Sequence, residues 1–433
     1  MLAALKAIAI CFFVVGLGIT HGSVFEQKSR SAGKTAIVAV KPSLQVAPSA
    51  RRTVRPGESW NSYYQSASCG EVIRVASGNH GNQAIIENAR LSQCARNVVF
   101  RTSPGAKVTM STLTIGPAVM GTVQGADRVT IEGPMKMTGG VACVGDCFNI
   151  VIDRVDGGTV TLDPLGGSAP NVPTNWVIKN SDWGPCSSSG PLQQAGQCET
   201  SAPDSGQIEL IGARNIRFIN NTIHDYDTVT TQPPHDHFEC VRTSGGSNYV
   251  WRRNKFWGCE IYALSTTDWD GVNYIENNWF GGADWHNASP SGMAITADPT
   301  IPGQIYIRFN SFSSQDAITS DAGSNHAGFH IIGNLIGSPQ AFGTQCFPNA
   351  VYKYNIYATR KCGDATNVGN RQLRYVKGTR GPNMNYHLAS ARWRADNYVP
   401  GSQSGSNLTV DFDGQARGAP RDAGADERRP RRK

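Results

Sequence analysis

The chain has 433 residues, of which 39% are hydrophobic and only 17% are charged, with 47 glycines. This length fits two or three average domains or one long all-β domain, and the low charge content favours a turn-rich β protein over a helical bundle. The net charge of +7 does not indicate nucleic-acid binding, because it is carried by Lys6 and by five basic residues among the last six positions. The rest of the chain is nearly neutral, so we predict no nucleic-acid partner.

Both ends of the chain are predicted to lie outside the folded domain. Lys6 precedes an apolar run from Ala7 to Ile19, which is short for a membrane span and typical of a signal peptide over residues 1–22. An uncleaved N-terminal anchor is the alternative, since no Ala-x-Ala pattern follows. Residues 23–54 are polar and aperiodic and are predicted to be a flexible linker, and residues 428–433 form a basic tail.

We therefore expect a secreted or cell-surface protein that is monomeric and has no stable membrane insertion once the leader is removed. Ten cysteines remain after Cys11, and an even number behind a secretion signal favours disulfides. Pairing of sequence neighbours is the simplest arrangement: Cys69 with Cys94, Cys143 with Cys147, Cys186 with Cys198, Cys240 with Cys259, and Cys346 with Cys362. No C-x-x-C pair is present in the sequence, which argues against a structural zinc site.

The folded domain is predicted to span residues 55–427. Residues 57–65 suit a short capping helix, and "EVIRVA" from Glu71 suits a strand with alternating faces. One theme then recurs, an alternating strand closed by Asn or a stand-in, as in "NIRFINNTIHD", "NYVWRRNKFWG" and "NYIENNWFGG". The closing residues are Glu132, Asp153, Asn180, Asn221, Asn254, Asn278, Asn310, Asn334 and Asn355, separated by 21, 27, 41, 33, 24, 32, 24 and 21 residues.

A repeat of this length, made of short strands, is typical of a solenoid in which each coil buries its apolar face against its neighbours. Propeller blades are the alternative, but four strands per blade need about 40 residues, which most of these spacings do not reach. Asparagine tolerates left-handed backbone angles, and its amide can bond to the next coil. A stack of these asparagines is expected to fix the register.

These coils, the entry segment "CGEVIRVASGNHGNQ" and the ending "DFDGQARGAPRDAGADE" resemble the right-handed parallel β-helix proteins of the pectate-lyase-like superfamily. More narrowly, the chain is similar to secreted actinobacterial β-helix proteins of unassigned function. The resemblance covers about residues 55–427 and implies an all-β, single-domain right-handed parallel β-helix with a short N-terminal capping helix. It does not select an activity, because this scaffold carries lyases, hydrolases, epimerases and non-enzymes.

Each coil should also carry a strand upstream of the asparagine-marked one, and four such strands can be aligned: "QIELIG" from Gln207, "HFECVR" from His237, "EIYALS" from Glu260 and "GMAITA" from Gly292. Two-residue alternation then points eight side chains inward: Ile208, Leu210, Phe238, Cys240, Ile261, Ala263, Met293 and Ile295. Two outer columns are predicted, one of Gln207, His237, Glu260 and Gly292 and one of Glu209, Glu239, Tyr262 and Ala294.

In this alignment Glu209 and Glu239 lie on adjacent coils about 4.8 Å apart. Their repulsion could be relieved by a bound cation such as calcium, by a shared proton, or by a charged His237. The predicted catalytic residues are His237, Glu239 and Tyr262, with Glu209 and Glu239 as candidate calcium ligands. The predicted substrate-binding residues are Gln207, His235, Asp236, Arg242, Glu260 and Asp268. Trp251, Trp257 and Trp269 could stack on sugars or belong to the core.

The functional hypothesis is a lyase or epimerase of a uronate-containing polysaccharide. Non-catalytic polysaccharide binding and a surface-structural role are the alternatives, since exposed Glu and His on a sheet are often only solvated. "PPHD", ending at Asp236, matches the last three positions of the D-P-H-D motif of alginate epimerases, but Pro233 replaces the leading acid. The N-T-D, G-H-G and R-I-K elements of the hydrolase branch are absent from the sequence.

Overall fold

The computed structural model describes residues 52–116, 126–163, 172–184, 186–187, 205–227, 238–259, 262–281, 291–296, 303–313, 317–320, 326–341, 346–359, 361–378, 383–389, 395, 398–401, 408–418 and 420–426. The predicted signal peptide, most of the predicted linker and the basic tail lie outside these residues. The described chain forms a parallel β-helix with three strand-bearing sides. This confirms the predicted all-β solenoid.

The first side, sheet 1, is a row of parallel strands, one from each coil. Its strands are Gln83–Ile85, Leu113–Ile115, Gly140–Val144, Thr159–Asp163, Ser205–Ile211, Phe238–Ser244, Tyr262–Thr267, Ser291–Thr296, Ala317–Ser320 and Ser338–Ala341.

The second side, sheet 2, contains the asparagine-marked strands of the sequence. It comprises Thr53–Val54, Val72–Val75, Val98–Thr102, the first parts of Val129–Met137 and Phe148–Gly157, then Thr174–Lys179, Arg217–Ile219, Val250–Arg252, Val272–Glu276, Gln304–Arg308, Phe329–Ile332 and Val351–Lys353.

The third side, sheet 3, follows sheet 2 after a corner in every coil, and the two long strands run through that corner. It comprises Gly78–Asn79, Val108–Met110, the ends of Val129–Met137 and Phe148–Gly157, then Asp182–Trp183, Cys186–Ser187, Thr222–Asp227, Lys255–Cys259, Trp279–Phe280, Ser311–Phe312, Leu335–Ile336 and Ile356–Tyr357. All pairings within the three sheets are parallel.

The remaining elements are two short helices near the N-terminus and a hairpin near the C-terminus that packs against sheet 3. A helix over Trp60–Gln65 is capped by the Ser59 side chain and buries Trp60 and Tyr64, as predicted for the capping helix, and a second short helix covers Ala89–Ser92. Thr53–Val54 pairs with the next strand of sheet 2, so order begins inside the predicted linker. Near the C-terminus, Tyr375–Lys377 and Asn385–Leu388 form an antiparallel hairpin. No helix among the described residues is long and apolar enough to cross a membrane.

Buried asparagines link successive coils at the corner between sheets 2 and 3. Each accepts, through its Oδ1, bonds from the backbone N–H and the amide of the preceding member, as between Asn221 and Asn254 at 3.0 and 3.1 Å. The members are Asn221, Asn254, Asn278, Asn310, Asn334, Asn355 and Asn367. Six of the nine predicted markers, from Asn221 onward, are members, which confirms that part of the predicted stack; we call it the inner ladder. The predicted markers Glu132 and Asp153 instead pair with each other within the strands of sheet 2. In the coil before Asn221, Ser181 holds the ladder position, so predicted marker Asn180 is one residue early.

The left-handed residue of this corner is the one that precedes the ladder asparagine. Asn220, Arg253, Asn277, Phe309 and Tyr354 all have φ between 53 and 58°. The corner therefore divides two tasks between adjacent residues, with one side chain bonding the next coil and its predecessor turning the chain. The predicted combination of both tasks in a single asparagine is wrong.

The core is a column of apolar side chains between the three sheets. Phe218 stacks on Trp251 at 4.2 Å, and Phe256, Phe280 and Phe312 stack on one another at 4.6–4.8 Å. Trp251 and Trp269 are buried in this core, whereas Trp257 is largely buried in a separate cluster with Trp279, Met384, Tyr386 and Ala425. None of the three is an exposed platform for a sugar.

Four of the five predicted disulfides are present: Cys69–Cys94, Cys143–Cys147, Cys240–Cys259 and Cys346–Cys362. The fifth would involve Cys198, which lies outside the described residues.

Candidate functional site

The strands of sheet 1 pair in a different register from the predicted one. Glu209 lies opposite Arg242, and Glu239 lies opposite Gly206. Relative to the strand of Glu209, the predicted alignments of "HFECVR" and "EIYALS" are each wrong by three residues, so the column of Glu209 contains Arg242 and Ser265 in place of Glu239 and Tyr262. Ala294 shares the column of Glu209, as predicted. Because three is an odd number, Glu209 and Glu239 belong to opposite faces of the sheet. The prediction that they stack in one outer column is wrong, and so is the carboxylate pair derived from it.

The outer column of sheet 1 instead contains an ion pair. Arg242 Nη1 lies 3.9 Å from Glu209 Oε1, and both side chains are about one-third exposed. Their neighbours in the column are Thr161 on one side and Ser265 on the other. This is a small charged centre between Thr161 and Ser265, suited to binding a substrate carboxylate through Arg242.

The other predicted residues of sheet 1 are more enclosed. Glu239 is 4% exposed and pairs with Tyr262 on the next coil, as the sequence predicts for these two residues. Gln207 is fully buried, and its amide donates to the Gly158 carbonyl at 2.9 Å. This contact gives Gln207 a role between coils. Cys240, predicted to point inward, aligns instead with Gln207, and Val241 shares the column of the core residue Ile208. Cys240 forms a disulfide with Cys259 in sheet 3.

Asp268 is exposed and lies directly after a strand of sheet 1, with φ of 54°. The register places it one position beyond Thr267, as Gly245 lies one beyond Ser244, so it occupies a left-handed corner that Gly245 fills in the preceding coil. Four predicted site residues lie outside the described residues: His235, Asp236, His237 and Glu260. Their proposed roles stay predictions.

A second surface is a groove of about 530 Å³ on the outer face of sheet 2. It is formed by two neighbouring outer columns of that sheet, whose members follow one another from coil to coil. Its lining residues are Asn97, Arg128, Asn149, Val151, Asn175, Val177, Asn215, Arg217, Asn248, Val250, Val272 and Tyr274. We call it the asparagine groove.

Four asparagines form the rim of this groove on consecutive coils. Asn149, Asn175, Asn215 and Asn248 all have φ of 56–59°, which places them at the corner where the chain enters sheet 2. Asn175 Nδ2 donates to Asn149 Oδ1 at 3.2 Å, and Asn248 Nδ2 donates to Asn215 Oδ1 at 3.0 Å. Each amide has two N–H donors and a carbonyl oxygen, so the row retains hydrogen-bonding capacity toward solvent.

The charge of the groove is positive. Among its described lining residues two are arginines and none is acidic. Arg128 is anchored by a bond from Nε to the Ser92 carbonyl at 3.0 Å, whereas Arg217 is exposed at the centre of the row. At one end Tyr274 stacks on Tyr306 at 5.3 Å, and Arg308 lies over both rings.

The predicted site did not include this groove, although the sequence carries a signal for it. The segments "NIVID", "NWVIK", "NIRFI" and "NYVWR" all begin with the asparagines that form its rim. The prediction rested on the asparagine that closes each strand and not on the one that opens it.

The described residues contain one cluster suited to a metal ion, composed of His387, Asp413 and Asp426. It lies where the C-terminal hairpin meets the segment 408–426. Asp413 and Asp426 belong to the ending that carried the family resemblance, but the sequence alone did not mark them as neighbours of His387.

No protein-family model matches the chain, and no curated protein matches it. Among solved structures, the chain is similar to the PL6 family alginate lyase AlyGC, with 13% sequence identity and a TM-score of 0.30. A mutant of that enzyme gives 13% identity and a TM-score of 0.36. Both comparisons cover 83% of this chain and 58% of the other, so the chain spans less than two-thirds of the length of these enzymes.

Proposed function

We propose that this protein binds an anionic, uronate-containing polysaccharide along the asparagine groove. The observation that carries the proposal is the row Asn149, Asn175, Asn215 and Asn248 on consecutive coils beside the exposed Arg217. Amides can donate to and accept from sugar hydroxyls, and a guanidinium can hold a carboxylate through two parallel bonds. The groove therefore offers both kinds of contact that a polyuronate needs.

The geometry of the solenoid supports an extended ligand. Neighbouring coils are about 4.8 Å apart, so the four asparagines present equivalent amides at a repeat comparable to one pyranose unit. A linear polysaccharide lying parallel to the solenoid axis would meet one amide per coil. Disulfides between the described cysteines support an oxidising compartment, and we propose that the protein acts outside the cell.

Binding is tested by isothermal titration of the full chain with pectate, alginate and a glycosaminoglycan at low salt. Arg217→Ala is expected to weaken binding about tenfold, the range for losing a charged hydrogen bond. Arg214→Ala is the matched control, because Arg214 is exposed in the same coil but does not line the groove. Failure of the wild type to bind any of these polymers, or equal losses in both variants, would contradict the proposal.

A lyase or epimerase activity at sheet 1 is the second candidate, favoured by the Glu209–Arg242 pair. In this proposal Arg242 neutralises the uronate carboxylate and the neighbouring Glu209 is the candidate base. Glu239 and Tyr262 are not part of this site, because the register places Glu239 on the opposite face of the sheet and aligns Tyr262 with it. A lyase would produce unsaturated ends that absorb in the ultraviolet, and an epimerase would change the uronate composition without that absorbance. Assays are run with and without calcium.

The variant Arg242→Lys keeps the charge but loses the bidentate geometry. We expect it to reduce turnover of polyuronate at least about tenfold, whereas Arg214→Ala should not change turnover. Unaltered polymer after long incubation with the wild type would exclude this second candidate and leave binding in the groove as the function.

A further inference from the structure

The cluster at the C-terminal end brings three ligand-type side chains from distant parts of the chain together. His387 Nε2 lies 2.9 Å from Asp413 Oδ2 and 3.7 Å from Asp426 Oδ1. One ligand atom from each of the three residues lies within 4.8 Å of the other two. His387 belongs to the hairpin strand Asn385–Leu388, and both aspartates belong to the segment 408–426, which we call the C-terminal arm.

The orientation of the His387 ring is fixed by the side chain of Asn385, on the side of the ring away from the aspartates. Asn385 Oδ1 accepts a bond from the His387 backbone N–H at 3.1 Å, so the oxygen of this amide faces the imidazole. The same oxygen is in contact with His387 Nδ1, which must therefore carry a proton and donate it. The ring is thereby held with Nε2 directed at a carboxylate oxygen of Asp413.

Asp426 supplies an independent observation. It is only 5% exposed, and it accepts no hydrogen bond from the described part of the chain. A buried carboxylate without hydrogen bonds is costly unless a cation compensates it. Oδ1 of Asp426 lies 3.7 Å from the Nε2 nitrogen of His387.

One side of the cluster is packed against aromatic rings. The Trp279 ring meets His387 edge-on at 5.0 Å and stacks on Phe412 at 3.8 Å. Both Trp279 and Tyr386 are buried. The opposite side is open, since the Asp413 side chain is 37% exposed, so an ion from solution can reach the three ligand atoms.

We propose that His387, Asp413 and Asp426 bind one divalent transition-metal ion of the Mn²⁺ or Zn²⁺ class. A set of one imidazole nitrogen and two carboxylates suits these ions better than Ca²⁺, which prefers oxygen ligands throughout. The Nδ1 bond to Asn385 is the outer contact by which proteins orient a metal-binding histidine. The ion would fasten the C-terminal arm to the hairpin, and it is independent of the polysaccharide proposed for the asparagine groove.

The test uses the full chain after treatment with a chelator and removal of that chelator. Manganese chloride is titrated in, and binding is followed by calorimetry and by loss of the free Mn²⁺ paramagnetic resonance signal. We expect one ion per chain and an unfolding temperature that rises with the Mn²⁺ concentration, because a ligand bound only to the folded state stabilises it. Calcium chloride at equal concentration is expected to bind at least about tenfold more weakly.

Four variants test whether the bound ion lies at this cluster. Asp426→Asn and His387→Gln should each abolish stoichiometric Mn²⁺ binding, and Asn385→Ala should weaken it about tenfold through loss of the ring orientation. Asp182→Asn is the matched control: it alters another His–Asp contact, with His224 at 2.9 Å, and should leave binding unchanged. Near-ultraviolet circular dichroism verifies that each variant is folded.

Two results would overturn the proposal. The first is absence of Mn²⁺ and Zn²⁺ binding by the wild type at millimolar concentration, which would leave a protonated His387 paired with Asp413. The second is binding that persists in folded Asp426→Asn and His387→Gln, which would place the ion elsewhere.

Discussion

The backbone N–H and the side-chain amide of Asn254 both donate to Oδ1 of Asn278, at 2.8 and 3.1 Å. Asn278 in turn donates its own amide to the Trp251 carbonyl at 2.9 Å. One buried side chain thus satisfies polar groups of neighbouring coils. The inner ladder is a chain of such contacts, which is why strand register is conserved from coil to coil despite unequal loops.

Asn278→Ala is expected to lower the free energy of unfolding by about 3–5 kcal/mol, because the substitution leaves buried donors of Asn254 and the Trp251 carbonyl without partners. Urea denaturation measures this loss. Asn248→Ala, at an exposed position of the asparagine groove, should cost less, about 1–2 kcal/mol, chiefly because alanine tolerates the left-handed backbone of this position poorly. Similar losses in the two variants would show that burial does not set the strength of the ladder.

Glu276 is fully buried between Arg252 and Arg308, and Arg308 is 5% exposed. Glu276→Ala is expected to destabilise the protein by about 3–5 kcal/mol, since it leaves the Arg308 charge buried without its partner. Glu132→Ala removes a carboxylate that contacts Arg101 and Arg154 in a more exposed setting, and it should cost less than about 1 kcal/mol. Thermal and urea unfolding of the two variants would decide; a smaller loss for Glu276→Ala than for Glu132→Ala contradicts the prediction.

Burial, reinforced by the Asp146 carboxylate, raises the pKa of Asp127 to about 6 from an ordinary 3.8. The folded state therefore binds a proton that the unfolded state lacks between these two pH values. Stability contributed by Asp127 should increase as pH falls from about 6 to about 4, and should be constant above and below that window. Because the side chain is partly exposed, we expect a change on the order of 1 kcal/mol.

Asp127→Asn should remove this contribution. The measurement is the difference in unfolding free energy between wild type and variant across the pH window, in which other titrating groups cancel. A difference that does not depend on pH, or one that grows in the opposite direction, would contradict the assignment.

The disulfide Cys240–Cys259 joins sheet 1 to sheet 3 with a sequence separation of 19 residues, whereas Cys143–Cys147 has a separation of only 4. Replacing both cysteines of the first pair by alanine is expected to cost about 3 kcal/mol. The same change in the second pair should cost less, because a shorter closed loop constrains the unfolded chain less. Denaturation of both double variants under oxidising conditions compares them.

The sequence predicted the solenoid, the capping helix and most of the inner ladder because these depend on local periodicity. The ladder was assigned correctly from Asn221 onward, where each member is an asparagine. The prediction failed at Asn180, because in that coil the hydroxyl of Ser181 accepts the hydrogen bond from the preceding coil. A pattern of repeated asparagines does not identify a serine at this position.

The register of sheet 1 could not be predicted in the same way. No ladder residue marks its strands, and Cys240 and Val241 are both apolar and both buried, so alternation alone allowed either of them to face inward. The coil-to-coil pairing of Glu209 with Arg242 depends on the length that the preceding loop takes up. The cluster at His387 depends on the folding of the C-terminal arm onto the hairpin, which no local pattern reports.

Successive members of the inner ladder are separated by as few as 12 residues, from Asn355 to Asn367, and by as many as 40, from Ser181 to Asn221. In both cases the backbone N–H of the earlier member donates to Oδ1 of the later one, so this bond does not depend on the length of the intervening segment. Descendants of this chain can therefore exchange, lengthen or shorten such a segment in a single genetic step. The chemistry of the segments between ladder residues can therefore change while the hydrogen bonds that hold the coils together stay the same.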